Sequence, residues 1–295
     1  MKEKIGFIGL GVMGTPMAVR LLNAGYSLFI FNRTKQKAES LISQGAVWCS
    51  SPALVASQVE IVFSMVSTPS ALEEITLGKD GILCGLREGK IHVDCSTVSP
   101  EITKRLAALY KTKKCHFLHS PMLGSVSQVV EGSLLLFVGG EEEAFRQVEP
   151  VLNDLSIKTW RFEHVEHATI TKLLCNSFIS GMAIVLSQAL VLAKKSDIDP
   201  HTLLEIISQS QLNAPMYQTK GVSIIARNFT PRFFVEHLFK DINLVLEAAK
   251  TLDVPMPASE TAQQVFAQAI KSGLAKEDYS SVIKVLEAQA GIEVK

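Results

Sequence analysis

The residues with the clearest chemical meaning form a glycine-rich turn near the N-terminus, with the sequence Gly9-Leu10-Gly11-Val12-Met13-Gly14. An apolar run at 4–9 precedes the turn and predicts a buried strand, and residues 12–24 carry apolar side chains at helical spacing. In this setting the first glycine permits a tight turn, the second lets the backbone approach a pyrophosphate, and the third lets helix and strand pack closely. The helix start presents N–H groups to the phosphates. The turn therefore predicts a dinucleotide site.

The segment after the second predicted strand, at 27–31, distinguishes between the two nicotinamide dinucleotides. Sites for NAD usually place Asp or Glu there, to accept hydrogen bonds from the ribose 2′-hydroxyl group. This chain has Asn32-Arg33-Thr34 instead. A guanidinium group binds a 2′-phosphate and stacks on adenine, whereas a carboxylate would repel the phosphate. We therefore predict NADP(H) as the cofactor in preference to NAD(H), although Arg33 could also be an ordinary surface charge.

Alternating strand and helix patterns run through the first half of the chain. Strands are predicted at 4–9, 27–31, 59–66, 90–94, 115–119 and 134–139, and helices at 12–24, 34–43 and 100–112. This alternation predicts a mostly parallel sheet that helices cover on both faces. Met65 and Val66 end one of these strands, and we expect them to contact the cofactor through backbone and apolar surface.

A second polar segment, Ser96-Thr97, follows the strand predicted at 90–94. The carboxyl ends of parallel strands form the ligand crevice of an open α/β sheet. These two hydroxyl groups are therefore candidates to bind a substrate carboxylate and the nicotinamide. They also fit a helix start ahead of Pro100, an interpretation that does not exclude a binding role.

The character of the chain changes near residue 164. Residues 166–195 form a long apolar helical pattern without proline, which corresponds to about 45 Å of helix at 1.5 Å per residue. That length favours a connecting helix that also packs against a partner subunit. Further helices, and no strands, are predicted at 200–209, 214–227, 234–252, 258–272 and 279–289. The second half is therefore predicted to be all-α.

The composition excludes several classes of protein. Hydrophobic residues make up 47% of the 295 residues and the formal net charge is zero, which favours a folded chain without a nucleic-acid partner. Five cysteines without a CxxC pair argue against disulfides or structural zinc, and seven histidines without HxH or HExxH spacing predict no metal site. No uninterrupted apolar stretch approaches about 18 residues, so we expect no membrane partner and a cytoplasmic location.

Several segments, taken in order and spacing, resemble the β-hydroxyacid dehydrogenase family. That family includes 3-hydroxyisobutyrate dehydrogenases, tartronate semialdehyde reductases and glyoxylate/succinic semialdehyde reductases. The segments similar to its glycine turn, D-x-S-T-x-x-P, P-V-S-G-G, K-x-x-N-N and K-D motifs are Ile8–Ala18, Asp94–Pro100, Pro121–Ser125, Lys172–Asn176 and Phe239–Asp241. Asn32-Arg33-Thr34 is similar to the variant in NADPH-using members, which makes glyoxylate/succinic semialdehyde reductases the closest in motif.

The resemblance covers essentially the whole chain and implies a fold. The implied fold is α/β, with an N-terminal Rossmann-type doubly wound sheet and an all-α C-terminal domain, joined by a long helix. Together with the change near residue 164, it predicts an NADP-binding Rossmann domain at 1–164 and an all-α substrate and dimerisation domain at 165–295. Family members are usually dimers or tetramers, so we expect a homodimer or homotetramer.

The resemblance also implies roles for individual residues. Lys172 is implied as the general acid that protonates the carbonyl oxygen as hydride arrives, and as the base in the reverse direction, with Asn176 one helical turn away holding the lysine or the substrate. Substrate binding is implied for Ser96, Thr97, Leu123, Gly124, Ser125, Phe233 and Lys240. Cofactor binding is implied for Gly9, Leu10, Gly11, Val12, Met13, Gly14, Asn32, Arg33, Thr34, Met65, Val66, Thr97, Lys240 and Asp241.

The sequence departs from the family pattern at four positions near these residues. Leu123 occupies a position that is often serine, and Ser125 one that is often glycine. His119 replaces a common acid, and Cys175 replaces the first Asn of the K-x-x-N-N segment. Carboxylate binding by the Gly124 loop is still expected, because its backbone N–H groups remain, but the size of the pocket and the identity of the substrate stay open.

These features predict an NADPH-dependent reductase that converts a small aldehyde or keto acid to the hydroxy acid. Glyoxylate, succinic semialdehyde and tartronate semialdehyde fit, and reversible 3-hydroxyisobutyrate oxidation is a neighbouring possibility. An imine reductase of the same fold is one alternative, although such enzymes commonly lack the lysine. A dinucleotide-binding scaffold without catalysis is the other. The substrate is therefore predicted to be a small carboxylate.

Overall fold

The computed structural model describes residues 2–295, and its first unit is built on one nine-stranded sheet. The order along the sheet is β3-β2-β1-β4-β5-β6-β8-β7, and β9, which lies outside this order, pairs with β8. Pairs β6–β8 and β7–β8 are antiparallel and the remaining pairs are parallel. The strands are β1 (Lys4–Ile8), β2 (Ser27–Phe31), β3 (Val47–Trp48), β4 (Ile61–Ser64), β5 (Ile91–Asp94), β6 (His116–His119), β7 (Met122–Leu123), β8 (Leu134–Gly139) and β9 (Ser156–Phe162).

Eight α-helices connect these strands. They are α1 (Gly14–Asn23), α2 (Glu39–Ser43), α3 (Pro52–Gln58), α4 (Pro69–Leu77), α5 (Ile82–Gly85), α6 (Pro100–Thr112), α7 (Val126–Glu131) and α8 (Glu142–Asn153), and a 3₁₀ turn at Lys35–Ala38 precedes α2. Three of them, α3, α4 and α6, begin with a Ser-Pro or Thr-Pro pair whose hydroxyl group accepts a backbone N–H. Such a cap contributes about 1 kcal/mol, and proline at the first helical position is preorganised for the helix.

The strand predictions were right for the six apolar runs and incomplete at the edges of the sheet. The last strand predicted from the sequence is 134–139, but a further strand, β9, follows it. It carries Lys158 and Arg161, and most of its side chains are at least partly exposed, as in an edge strand that pairs on one side only. The two-residue strands β3 and β7 are too short to produce a periodic pattern, and the helix predicted at 34–43 is divided into the 3₁₀ turn and α2.

The second unit is helical. The two compact units divide between Lys172 and Leu173, within the 31-residue helix α9 (Val165–Lys195). The further helices are α10 (Pro200–Ser208), α11 (Pro215–Ile225), α12 (Val235–Thr251), α13 (Pro257–Lys271) and α14 (Ile283–Ala290), with a 3₁₀ turn at Tyr279–Val282. Among the described residues of this unit there is one isolated β-bridge, between Phe234 and Asp278, and no strand. The predicted fold class is confirmed.

Candidate functional site

The glycine turn between β1 and α1 has the backbone geometry that its three glycines permit. Gly9 has φ +98°, and a Cβ there would overlap the carbonyl oxygen of Met65. A Cβ on Gly14 would overlap the carbonyl oxygen of Gly9. Apart from Gly11 itself and its chain neighbours, no atom lies within 4 Å of the position of a Cβ on Gly11, so its backbone is open to a ligand. The first and third glycines therefore serve close packing, and the middle one serves access.

Asn32, at the end of β2, holds this turn in place. Its Oδ1 accepts the backbone N–H of Leu10 at 2.9 Å, and its Nδ2 donates to the carbonyl oxygen of Thr34 at 2.8 Å. A carboxylate could accept the first bond but could not donate the second. Asparagine therefore connects the glycine turn to the segment that carries Arg33.

A cavity of about 470 Å³ lies beside the turn, entirely within the first unit. Of the predicted cofactor residues it is lined by Gly9, Leu10, Gly11, Asn32, Arg33, Thr34, Met65 and Val66. Val12, Met13 and Gly14 do not line it: Val12 and Met13 lie in the turn before α1, and Gly14 is the first residue of that helix. The arrangement leaves the first N–H groups of α1 beside the glycine turn, where they and the helix dipole favour an anion.

The cavity also has lining residues that the sequence interpretation missed. Lys37 lies in the 3₁₀ turn, one turn beyond Arg33, and both side chains are exposed. Further along the chain, α4 and the loop after it contribute Glu74, Lys79 and Asp80. The four-residue spacing between Arg33 and Lys37 was a signal in the sequence. That spacing predicts a shared face only in a continuous helix, whereas this segment is a 3₁₀ turn followed by α2.

A row of polar residues ends the three central strands. Ser64 in β4, Asp94 in β5 and His119 in β6 are paired in register, and all three are fully buried. Ser64 Oγ donates to Asp94 Oδ1 at 2.6 Å, and His119 Nδ1 lies 3.3 Å from Asp94 Oδ2. Burial alone would raise the pKa of Asp94, but His119, His92 and Ser64 together hold that pKa below its usual value. Asp94 is therefore a buried, ionised carboxylate at the carboxyl end of β5.

The hydrogen bonds of this row have one consistent direction. The single proton of Ser64 goes to Asp94, so Ser64 Oγ accepts from His92 Nε2 at 2.7 Å. His92 Nδ1, 2.7 Å from the Tyr110 hydroxyl group, then accepts the proton of Tyr110. Burial lowers the pKa of His92 to about 4, which is consistent with this neutral tautomer.

Ser96 joins the same network instead of pointing to an open surface. Its hydroxyl group donates to Asp94 Oδ1 at 2.7 Å and accepts the backbone N–H of Val66 at 2.9 Å. Its side chain is completely buried, whereas Thr97, the next residue, is half-buried. The structure therefore assigns the Ser96 hydroxyl group to partners inside the protein, and substrate binding by this residue stays a prediction.

The loop Leu123-Gly124-Ser125 joins β7 to α7. Gly124 has φ +140°, and a Cβ there would come within 2.6 Å of Leu134. The backbone N–H of Ser125 donates to Gln128 Oε1 at 2.8 Å, and its hydroxyl group donates to the same oxygen at 2.6 Å. A carboxylate bound by the Ser125 N–H would have to replace Gln128, so of the two N–H groups predicted to bind it, that of Ser125 is already used.

In the second unit, Asn176 and Lys240 meet on Asp241. Asn176 Nδ2 donates to Asp241 Oδ2 at 2.6 Å, and Lys240 Nζ lies 2.8 Å from Asp241 Oδ1. Asn176 and Asp241 are buried, and Lys240 is partly exposed. Lys172 precedes Asn176 by one turn of α9, so the two residues share a helix face.

Phe233 lies before α12, with its ring against Tyr279 at 6.0 Å and packed on the core of the second unit. Asp278 Oδ2 accepts the backbone N–H groups of Arg232 and Phe233 at 3.1 and 3.4 Å, and its Oδ1 pairs with Lys220 at 2.7 Å. Burial opposes ionisation of Asp278, but Lys220 and Ser280 keep its pKa below the usual value. The buried carboxylate of Asp278, paired with the partly buried Lys220, therefore holds the backbone of the segment that carries Phe233.

Comparison with known families divides the chain between residues 163 and 167, shortly before the boundary of the two compact units at Lys172. Residues 4–163 match the family described as the NAD binding domain of 6-phosphogluconate dehydrogenase. Residues 167–286 match the family described as the NAD-binding domain of NADP-dependent 3-hydroxyisobutyrate dehydrogenase. The first match contains the glycine turn and the cavity, and the second contains Lys172, Asn176 and Asp241.

Individual relatives match over nearly the whole chain. The uncharacterised oxidoreductase YfjR of Bacillus subtilis is 35% identical over 286 residues, which cover 96% of this chain and 100% of YfjR. The chloroplastic glyoxylate/succinic semialdehyde reductase 2 of Arabidopsis thaliana is 32% identical over 284 residues, covering 96% of this chain and 79% of the plant protein. The crystal structure of a 3-hydroxyisobutyrate dehydrogenase from Salmonella typhimurium superposes with a TM-score of 0.88 at 25% identity, over 96% of this chain and 100% of that one.

Proposed function

Because the chain belongs to the β-hydroxyacid dehydrogenase family, we propose that it is an NADPH-dependent reductase of a small aldehyde or keto acid, of the glyoxylate or succinic semialdehyde type. It is an oxidoreductase that uses a nicotinamide dinucleotide. The preference for NADP, the substrate and the role of the lysine are the proposed parts. Reversible 3-hydroxyisobutyrate oxidation is the same chemistry in the opposite direction.

The observation that carries the proposal is the cation pair at the cavity beside the glycine turn. Arg33 and Lys37 both line it, and the end of β2 carries Asn32 in place of an acid. Two exposed cations match the negative charge of a 2′-phosphate. The uncharged 2′-hydroxyl group of NAD(H) would not require them. The open backbone at Gly11 and the start of α1 fit the pyrophosphate. The residues present therefore suit NADP(H).

The cofactor, when bound, supplies a hydride to the carbonyl carbon. We assign to Lys172 the donation of a proton from Nζ to the carbonyl oxygen, and its recovery in the reverse direction. Asp241 holds Asn176 and Lys240 by hydrogen bond and ion pair, which supports a positioning role for this cluster. Lys240 provides a positive charge for the substrate carboxylate.

Two alternatives differ from this proposal in their chemistry. An imine reductase would act without a lysine acid, and a scaffold would bind the nucleotide without turnover. The presence of Lys172, Asn176 and Lys240 together favours the dehydrogenase chemistry over both.

We also propose that the protein forms a homo-oligomer through α9. Phe178, Val185 and Leu192 are 71%, 57% and 68% exposed and lie seven residues apart, on one face of the helix. This spacing is symmetric about Val185, so an antiparallel second copy would place each Phe178 against a Leu192. The helix is also long and apolar enough to cross a membrane, but Leu186 and Leu190 are buried in the core of the second unit, which favours a protein partner.

A substrate screen tests the proposed reaction. NADPH oxidation is followed at 340 nm with glyoxylate, succinic semialdehyde and tartronate semialdehyde, and the series is repeated with NADH. Butanal, which lacks the carboxylate of succinic semialdehyde, is the matched control and should turn over far more slowly. Equal rates with butanal would contradict carboxylate recognition. NADPH binding without turnover of any acid would support the scaffold, and turnover of cyclic imines would support the imine reductase.

A further inference from the structure

The segment Met65-Val66 forms a wall of the cofactor cavity in direct contact with the glycine turn. Both residues line the cavity, and the N–H of Met65 donates to the carbonyl oxygen of Ile8 at 2.9 Å. A Cβ on Gly9 would overlap the carbonyl oxygen of Met65 and would lie 3.3 Å from Cγ1 of Val66. A shift of this segment would therefore move Gly9, and with it the glycine turn that is expected to bind the pyrophosphate.

The N–H of Val66 is held by Ser96, and Ser96 is held by Asp94. The Ser96 hydroxyl group accepts from Val66 and gives its only proton to Asp94 Oδ1, and the Ser96 backbone N–H lies 3.3 Å from Asp94 Oδ2. Both Ser96 and Asp94 are completely buried. The proton of the hydroxyl group and one of its lone pairs are thus used inside the protein, and the lone pair holds the cavity wall through the N–H of Val66.

Asp94 is in turn fixed by groups that do not line the cavity. Ser64 donates to the same carboxylate oxygen as Ser96, His119 lies against the other oxygen, and His92 and Tyr110 extend the chain of hydrogen bonds to α6. A buried carboxylate that accepts several hydrogen bonds keeps one orientation, because each alternative leaves a buried donor unpaired.

We propose that Asp94 and Ser96 are positioning residues for cofactor binding, and that Ser96 acts on Val66 and not on the substrate. The proposal rests on the proposed function only in that the chain must bind a nicotinamide dinucleotide. It predicts that Ser64, which does not line the cavity, also affects cofactor affinity, because it orients Asp94.

The test measures the dissociation constant of NADPH, without substrate, by quenching of tryptophan fluorescence or calorimetry. Ser96→Ala leaves the Val66 N–H without its acceptor, and we expect the dissociation constant to rise roughly tenfold, the effect of one lost buried hydrogen bond. Asp94→Asn and Ser64→Ala should raise it in the same direction, with Ser64→Ala the smallest effect. Substrate KM, at saturating NADPH, should change little in Ser96→Ala.

Two controls separate positioning from loss of stability. Ser156→Ala removes a buried hydroxyl group of the same unit that bonds the carbonyl oxygen of Leu152, and Val148→Ala opens a small cavity in the core. Both should lower Tm and leave the NADPH dissociation constant unchanged. Unchanged cofactor affinity in Ser96→Ala and Ser64→Ala, or a raised substrate KM alone in Ser96→Ala, would overturn the proposal. Absence of binding of either dinucleotide by the wild-type protein would instead contradict the proposed function.

Discussion

Asn176 donates a hydrogen bond of 2.6 Å to Asp241, although 65 positions separate them in the chain. Asp241 is the buried centre of the cluster, because its second oxygen pairs with Lys240 at 2.8 Å. The two residues lie on different helices, α9 and α12, and the bond connects the helix face that carries Lys172 to the helix that carries Lys240.

Asp241→Asn should weaken both of these contacts, because an amide has one acceptor oxygen where the carboxylate has two. We expect kcat/KM to fall by about 10–100-fold and the free energy of unfolding to fall by about 1–3 kcal/mol, the cost of a lost hydrogen bond to a charged group. Steady-state kinetics and urea unfolding measure the two effects. Glu277→Gln, in a partly exposed pair with Lys284, is the control and should cost below about 1 kcal/mol. Normal kinetics with reduced stability would assign Asp241 a structural role only.

Lys172→Ala should lower kcat by about 10²–10⁴-fold, because it removes the proposed proton donor. The dissociation constant of NADPH and the Tm should remain near those of the wild-type protein. Lys194→Ala, in the last turn of the same helix, is the matched control and should keep full activity. Wild-type turnover by folded Lys172→Ala would disprove the lysine mechanism.

Arg33→Ala and Lys37→Ala should each lower the preference for NADPH over NADH, by about tenfold for each exposed phosphate contact. The ratio of kcat/KM with the two cofactors measures this preference. Lys35→Ala removes a neighbouring cation that lies 5.7 Å from the centre of the Trp48 ring and does not line the cavity, so its ratio should be unchanged. Equal losses with NADH and NADPH would mean that neither cation recognises the 2′-phosphate.

His92 should make the protein less stable in mild acid. Its pKa is lowered from 6.5 to about 4 in the folded chain, so between these values the unfolded chain binds a proton that the folded chain does not. The free energy of unfolding therefore falls as the pH falls from 6.5 to about 4, by about 3 kcal/mol in total. Urea unfolding at several pH values measures this slope, and His92→Gln should reduce it. His201→Gln, at an exposed position, should not. The same slope in His92→Gln and wild type would assign the acid sensitivity to other groups.

Val185→Glu should disrupt the proposed oligomer, because it places two carboxylates opposite each other at the centre of the symmetric face. Light scattering coupled to gel filtration should show the wild-type protein as an oligomer and this variant as a smaller species. Val222→Glu, at a similarly exposed apolar position on α11, is the control and should leave the mass unchanged. A monomeric wild-type protein would contradict the proposal. Recovery of the wild-type protein in the membrane fraction would point to a lipid partner instead.

The central strands, the glycine turn, the long helix and the helical second half could all be predicted from the sequence, because each has a local signal. Glycines mark the turn, apolar runs mark buried strands, and an uninterrupted apolar periodicity marks α9. The strands β3, β7 and β9 were not predicted, because they lack a clear alternation of apolar and polar residues. Most side chains of β9 are at least partly exposed and some are charged, and β3 and β7 have only two residues each. The Ser-Pro and Thr-Pro starts of α3 and α4 were present in the sequence as cap signals and were missed.

The hydrogen-bond partners of the polar side chains, in contrast, could not be predicted, because they depend on how distant segments pack. Ser96 and Asn32 were predicted to contact ligands, whereas their hydrogen bonds go to Val66, Asp94, Leu10 and Thr34. The row Ser64–Asp94–His119 exists because parallel strands bring residues about 25 to 55 positions apart into register at one sheet edge. Likewise, Asn176 and Asp241 meet because two helices pack together. Such long-range pairs depend on how elements assemble, and no local periodicity records them.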